Sequence, residues 1–268
     1  MKSPLASGCS LCDGTGWKPV QKGEWRAVEP CSCQTVARDL DWYMERAQIP
    51  PRFRQCGFDG FVNPSDNASL QMALIKARGF ANQYPVVKKG LLFLGNPGVG
   101  KTHLMVAILK HLMTTKGIEC LFCSFPDLLE QLQESYDPVA QRTKAEILQP
   151  VLETEVLAID DLGARRVSDW VEDTVTYILN YRYNQKKPTL MTSNLTEEPP
   201  KESTEESPGK SSKSFSTRDI KPDTLQKRIG LRIYSRLFEM CEKVSIQADD
   251  HRQTVQQHTK AWQRDRLA

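Results

Sequence analysis

No part of this chain has less freedom than Gly95-Asn96-Pro97-Gly98-Val99-Gly100-Lys101-Thr102, which matches the pattern GxxxxGK[ST]. Its flanks agree with the pattern. Gly90-Leu91-Leu92-Phe93-Leu94 is a short apolar run of buried-strand type, and from His103 to Lys116 the residues Leu104, Ala107, Ile108 and Leu112 recur at helical spacing. A strand, a glycine-rich turn and a helix N-terminus bring several backbone N–H groups and the positive end of a helix dipole to one point, which suits a phosphate. Lys101 then serves the β/γ-phosphates, the Thr102 hydroxyl serves Mg²⁺, and the cradle is expected to run from Gly95 through His103.

The chain downstream alternates strand and helix. A strand and helix are expected from Glu119 to about Ser135. Next, Val156-Leu157-Ala158-Ile159 is wholly apolar and is followed at once by Asp160 and Asp161, the form of a buried parallel strand that presents an acid to the metal at its C-terminal end. Asp160 is the candidate on the Mg²⁺ side. Asp161 is the candidate that orients or polarises the attacking water. A helix from Trp170 to Asn184 leads into Pro188–Asn194, a second short buried strand. Asn194 at its end is either a sensor of the γ-phosphate or a turn asparagine, since ligands of open α/β sheets lie at this end. With Val244-Ser245-Ile246 read as a last strand, an α/β fold with a five-stranded parallel sheet flanked by helices is expected.

At 268 residues and 39% hydrophobic content there is enough for a core, no run of 18 apolar residues exists to span a bilayer, and the first residues have no apolar leader. A cytoplasmic protein is expected, without membrane contact. The net charge of +3 does not by itself announce a nucleic-acid binder. Four of the eight cysteines fall early, as Cys9 and Cys12 and then Cys31 and Cys33, and in a reducing compartment two such close pairs read as a tetrahedral zinc shell. Cys56, Cys120, Cys123 and Cys241 read as structural. A helix from Thr35 to Gln48 ends at Ile49-Pro50-Pro51, which sets an expected boundary between an N-terminal adaptor, 1–48, and a nucleotide-binding domain, 49–268. Between Arg52 and Asn63 stand Phe53, Phe58 and Phe61, each a candidate either for a nucleotide base or for the core. Residues 197–223 are dense in Ser, Thr, Lys, Glu and Pro, and such a composition predicts a mobile polar insertion. One helix from Thr224 to Cys241 is then expected, with Arg228, Arg232 and Arg236 on one face and Leu225, Ile229, Ile233 and Leu237 on the next. The arginines are either a solvated face or an interface.

Taken together, GNPGVGKTHL, LAIDDLGARR, LMTSN and RIGLRIYSRLFEMC, in this order, resemble the AAA+ ATPases of the DnaC/DnaI helicase loaders and the related IstB transposition helpers. The early cysteines resemble the zinc-bearing N-terminus of the DnaI type. The resemblance implies an ATPase that forms open rings or spirals with ATP, binds single-stranded DNA and delivers a hexameric replicative helicase. It implies that Asp160 and Asp161 are the Walker B acids, Asn194 is sensor I, and Arg232 or Arg236 is the arginine finger. Two departures stand out: the long polar insertion after Asn194, and Asp161 where many AAA+ ATPases carry Glu. A helper of a DNA transposase and a nucleotide-binding scaffold without turnover are the other readings.

Overall fold

The computed structural model describes residues 17–22, 25–30, 40–63, 66–137, 139–165, 168–195 and 224–251. Cys9, Cys12, Cys31 and Cys33, the 197–223 insertion and the C-terminal tail from 252 lie outside them. Strands β1 (Trp17–Lys22) and β2 (Trp25–Pro30) form an antiparallel hairpin that the sequence reading did not foresee, with Trp17 paired to Pro30. The main sheet consists of β3 (Gly90–Gly95), β4 (Cys120–Ser124), β5 (Val156–Asp160), β6 (Thr189–Ser193) and β7 (Cys241–Ile246). Its strand order is β4-β5-β6-β3-β7 and every pairing is parallel.

A parallel sheet covered on both faces needs apolar residues on both, which is why 91–94 of β3 and 156–159 of β5 read as unbroken apolar runs. The side chains still alternate. Leu91, Phe93, Val156, Ala158 and Val244 enter one core, with α1 (Leu40–Arg46), α2 (Ala68–Gln83) and α3 (Lys101–Lys116). Leu92, Leu94, Leu121, Leu157 and Ile159 enter the other, with α4 (Phe125–Glu134), α5 (Lys144–Glu153), α6 (Asp169–Asn184), α7 (Leu225–Ile229) and α8 (Leu231–Met240). The helix before the expected boundary at Ile49 belongs to the first core: Met44 and Ala47 are buried there, and the Phe122 amide donates to the Ala47 carbonyl at 2.8 Å. Among the described residues no helix is long and apolar enough to cross a membrane.

Two expectations need correction. The single helix from Thr224 to Cys241 is two helices, α7 and α8, because Gly230 adopts φ 85 and ψ 155, and a Cβ there would meet the Glu172 carboxylate at 2.9 Å. Leu225, Ile229, Ile233 and Leu237 all stay buried across the break, but Arg228 lies on α7, apart from Arg232 and Arg236 on α8. The strand after them also starts early, at Cys241. Helix α5 was not expected at all. Its start is a capping box, with Thr143 Oγ1 accepting from the Glu146 amide and the Glu146 carboxylate accepting from the Thr143 amide. Pro150 inside it reads as a stop, yet the helix runs on through buried Val151 and Leu152.

What closes α5 is Arg182 of α6, 0% exposed. Its guanidinium donates to the carbonyls of Val151 (3.1 Å), Leu152 (3.2 Å), Thr154 (2.9 Å), Glu155 (3.4 Å) and Pro188 (2.8 Å), and to Thr189 Oγ1 (2.9 Å). Burial pushes it down to about 10, and at neutral pH it stays charged. These carbonyls include those that a helix C-terminus leaves unpaired, and they carry the negative end of the dipole. Arg182→Met keeps the bulk but strands the acceptors, so urea unfolding should show a stability loss of about 3 kcal/mol or more. A loss within experimental error would show that water replaces the guanidinium without cost.

Candidate functional site

The loop from Gly95 to Gly100 joins β3 to α3 at the C-terminal edge of the sheet. Three of its positions require glycine, the first being Gly95, with φ 152 and a Cβ that would fall 2.3 Å from the Ile246 carbonyl oxygen. Gly98 has φ 82, and a Cβ there would fall 1.8 Å from the Asp250 carboxylate; Gly100 has φ 95, and a Cβ would fall 2.8 Å from the Phe61 ring. Lys101, 5% exposed, folds back over the loop, and its Nζ donates to the carbonyls of Gly95 (2.8 Å) and Asn96 (2.7 Å) and to Asn194 Oδ1 (2.6 Å). Thr102 Oγ1 donates to Asp160 Oδ1 at 2.8 Å.

The other side comes from the ends of β5 and β6. Asp160 is 3% exposed. Burial raises its carboxyl above the ordinary range, hydrogen bonds from Thr192 and Thr102 pull it down, Asp161 pushes it up, and the Arg52 charge lowers it. Asp161 has φ 57, an uncommon conformation for a residue with a side chain, and its Oδ1 accepts from Asn194 Nδ2 at 2.9 Å. Lys101, Asn194 and Asp161 are thus linked in a row by one amide, while Thr102 and Asp160 are joined beside them.

Next to the loop opens a cleft of about 1060 Å³ whose lining includes Phe61, Val62, Asn67, Leu70, Val99 and His103. Of the three candidate aromatics only Phe61 lines it. Phe53 packs on Phe122, and Phe58 packs on His111 beneath the Arg78 guanidinium. His103 stands edge to face with Phe61 at 5.5 Å, and its Nε2 lies 2.8 Å from the Gly57 carbonyl. It therefore fixes the loop that carries Phe61. Cleft residues that the sequence reading missed come from the two ends of the domain. Asn67 caps α2, its Oδ1 accepting from the Ser69 and Leu70 amides, and its Nδ2 donates to the Gln247 carbonyl at 2.8 Å. The His251 amide donates to the Gly98 carbonyl at 3.3 Å.

The structure therefore brings together Gly95 to His103, Asp160, Asp161 and Asn194. It does not bring Arg232 or Arg236 to them. Arg232 is exposed on α8, whereas Arg236 Nη1 donates to Glu239 at 2.6 Å and its guanidinium lies 4.9 Å over the Tyr183 ring. Cys56, Cys120, Cys123 and Cys241 are free thiols. Among the described residues no group of three or more His, Cys, Asp or Glu could hold a metal, and the four early cysteines stand outside those residues. Burial raises the thiol pKa of all four free cysteines, Cys123 and Cys241 to about 12, as expected of inert core cysteines.

Residues 38–202 match a family described as IstB-like ATP binding protein. The crystal structure of the DnaC helicase loader is 35% identical with a TM-score of 0.57, covering 74% of this chain and all (100%) of that one. The replicative helicase loader DnaI of Bacillus subtilis (strain 168) is 34% identical over 201 residues, 70% of this chain and 61% of DnaI. The uncharacterized protein YqaM of the same strain is 28% identical over 188 residues, 66% of this chain and 58% of YqaM. The chain thus spans less than two thirds of the length of these two curated relatives. The parallel sheet with helices on both faces is that of a P-loop AAA+ domain.

Proposed function

Because the chain belongs to the family of IstB-like ATP-binding proteins, we propose that it is an Mg²⁺-dependent ATPase that loads a hexameric replicative helicase onto single-stranded DNA. The observation that carries the ATPase half is the row Lys101, Asn194, Asp161 beside the Thr102–Asp160 pair. The names of DnaC and DnaI support the other half. In use, Lys101 exchanges loop carbonyls for phosphate oxygens, as a point charge on a flexible stem can. Asn194, then released at one end, keeps Asp161 in place to orient water. The hydroxyl of Thr102 and the carboxylate of Asp160 are hard oxygen donors 2.8 Å apart, a pair that fits Mg²⁺. Bound there, the metal would neutralise charge on the phosphates. The base is expected against Phe61 and Val62.

ATP turnover and co-purification test this. Lys101→Ala should lose nucleotide binding or turnover, and Asp160→Asn should keep ATP but bind its Mg²⁺ more weakly. Unchanged turnover in both would end the ATPase reading. Capture of a transposase in place of a hexameric helicase would end the loader reading.

The row of groups above leaves the charge that grows on the transferred phosphoryl group without a second cation. An arginine from a neighbouring subunit supplies it in this proposal, and the candidates are Arg232 and Arg236 on α8. Arg236 has to give up Glu239 and Tyr183 to act, while Arg232 is exposed already. Alanine at the acting position should leave ATP binding intact and slow turnover, by as much as about 10³-fold. Mixing that variant with Lys101→Ala should restore part of the rate, since one sound interface can form. Parental rates in both alanine variants would make these arginines a solvated face.

The N-terminal segment is proposed as a zinc-held adaptor, residues 1–48, that docks the helicase. Support comes from the hairpin β1–β2. Its register pairs Trp17, which follows Cys12 in sequence, with Pro30, which immediately precedes Cys31. Metal analysis of protein purified under reducing conditions should find one zinc per chain, lost in acid as the thiolates take up protons. Protein without zinc, or full helicase binding after removal of residues 1–34, would refute the adaptor.

A further inference from the structure

The last residues of β6 are polar although Thr192 and Ser193 are both 0% exposed. In a strand covered on both faces a valine would fit either place, and a buried hydroxyl costs free energy unless it is bonded. Both are bonded, and to the same short turn. Ser193 Oγ donates to the Leu162 carbonyl at 2.8 Å. Thr192 makes the fuller set: its Oγ1 donates to Asp160 Oδ1 at 2.5 Å and accepts from the Asp161 amide at 3.0 Å, and its carbonyl accepts from the Leu162 amide at 2.8 Å. One residue is therefore bonded to three consecutive residues at the end of β5.

The chemistry of a hydroxyl makes this arrangement directional. It has one proton to give and lone pairs to receive with, so donation to the carboxylate leaves its acceptor side for the amide. Thr102 and Thr192 both donate to the same Asp160 oxygen, Oδ1, and among the described residues no donor reaches Oδ2. The bond from the Asp161 amide falls at the residue whose φ is 57, which few residues with side chains adopt without support. Neither effect follows from filling space.

We propose that Thr192 is a positioning residue of the nucleotide site: its hydroxyl fixes the Asp160 carboxylate through Oδ1 and holds Asp161 in its left-handed turn, so both acids are set before nucleotide enters. The proposal rests on the ATPase reading above. Thr192 acts through the two aspartates and touches no substrate.

The test uses the full chain, a fluorescent ATP analogue in EDTA and in Mg²⁺, and steady-state ATP turnover. Thr192→Val keeps shape and loses both hydroxyl bonds. It should bind the metal-free analogue nearly as the parent does. The gain in affinity that Mg²⁺ confers, and kcat, should each fall about ten- to a hundredfold, as when the outer partners of a metal ligand are removed. Thr192→Ser, which keeps the hydroxyl, should restore both. A valine variant with the parental Mg²⁺ gain and kcat, or a serine variant as impaired as the valine one, would overturn the proposal. Should thermal melting show Thr192→Val unfolded, Thr192→Cys, of similar shape and weak in hydrogen bonding, takes its place under the same criteria. A parent that binds neither form of the analogue is a separate outcome, which removes the ATPase reading and this proposal with it.

Discussion

A carboxylate buried at the end of a fully covered strand is the constraint around which this sheet edge is built. Taking Asp160 out of water costs several kcal/mol unless donors replace the lost hydration. Two threonine hydroxyls do so, from α3 on one side and β6 on the other. They fix more than the acid, because each belongs to an element that must then stand in one place. Thr102 sets how the first turn of α3 faces β5, and Thr192 sets how β6 faces the turn after it. The loop over Lys101 inherits its position from both.

The far end of the same strands is held by a different device of the same kind. Arg182 is a buried cation satisfied by carbonyl oxygens and the Thr189 hydroxyl, gathered from the end of α5, the approach to β5 and the start of β6. It holds β5 and β6 in step where their chains enter, as Thr192 does where they leave. Buried polar networks are costly when half satisfied and specific when complete. Both of these are complete enough to make a slip between β5 and β6 unfavourable, and the site lies at the end of that pair.

Much of this was legible in the residues. The apolar runs at 90–94 and 156–159 are read correctly as buried parallel strands because length and flanking glycines or acids distinguish them from helix, and the mixed segment 188–194 is read correctly as a short strand. The pattern GxxxxGK[ST] gave its own local geometry. What escaped has identifiable causes. Helix α5 hid behind Pro150, and the carbonyls at its end are met by Arg182 of the next helix, which no local pattern announces. Gly230 sat inside an unbroken four-residue repeat, and the repeat survived the break since α7 and α8 bury their leucines and isoleucines against the same core. Thr192 read as a polar residue in a strand, and its role needs the strand beside it. The bond from Asn67 to Gln247 joins residues 180 positions apart, and no local pattern encodes it.

That long-range closure gives the cleft its character. Its walls come from Gly60, Phe61, Val62, Asn67 and Leu70, from the loop after β3 and from the segment after β7, with Leu195 beside them. The first wall is tied to α3 through His103 and Gly57, and it continues backward through the turn at Pro51 to α1, whose following residue Ala47 bonds to β4. The third is tied to the first by Asn67 and to the loop by His251. A ligand seated between these walls would contact the phosphate loop and both ends of the domain together, and its binding free energy would be shared among segments that the sheet alone does not join.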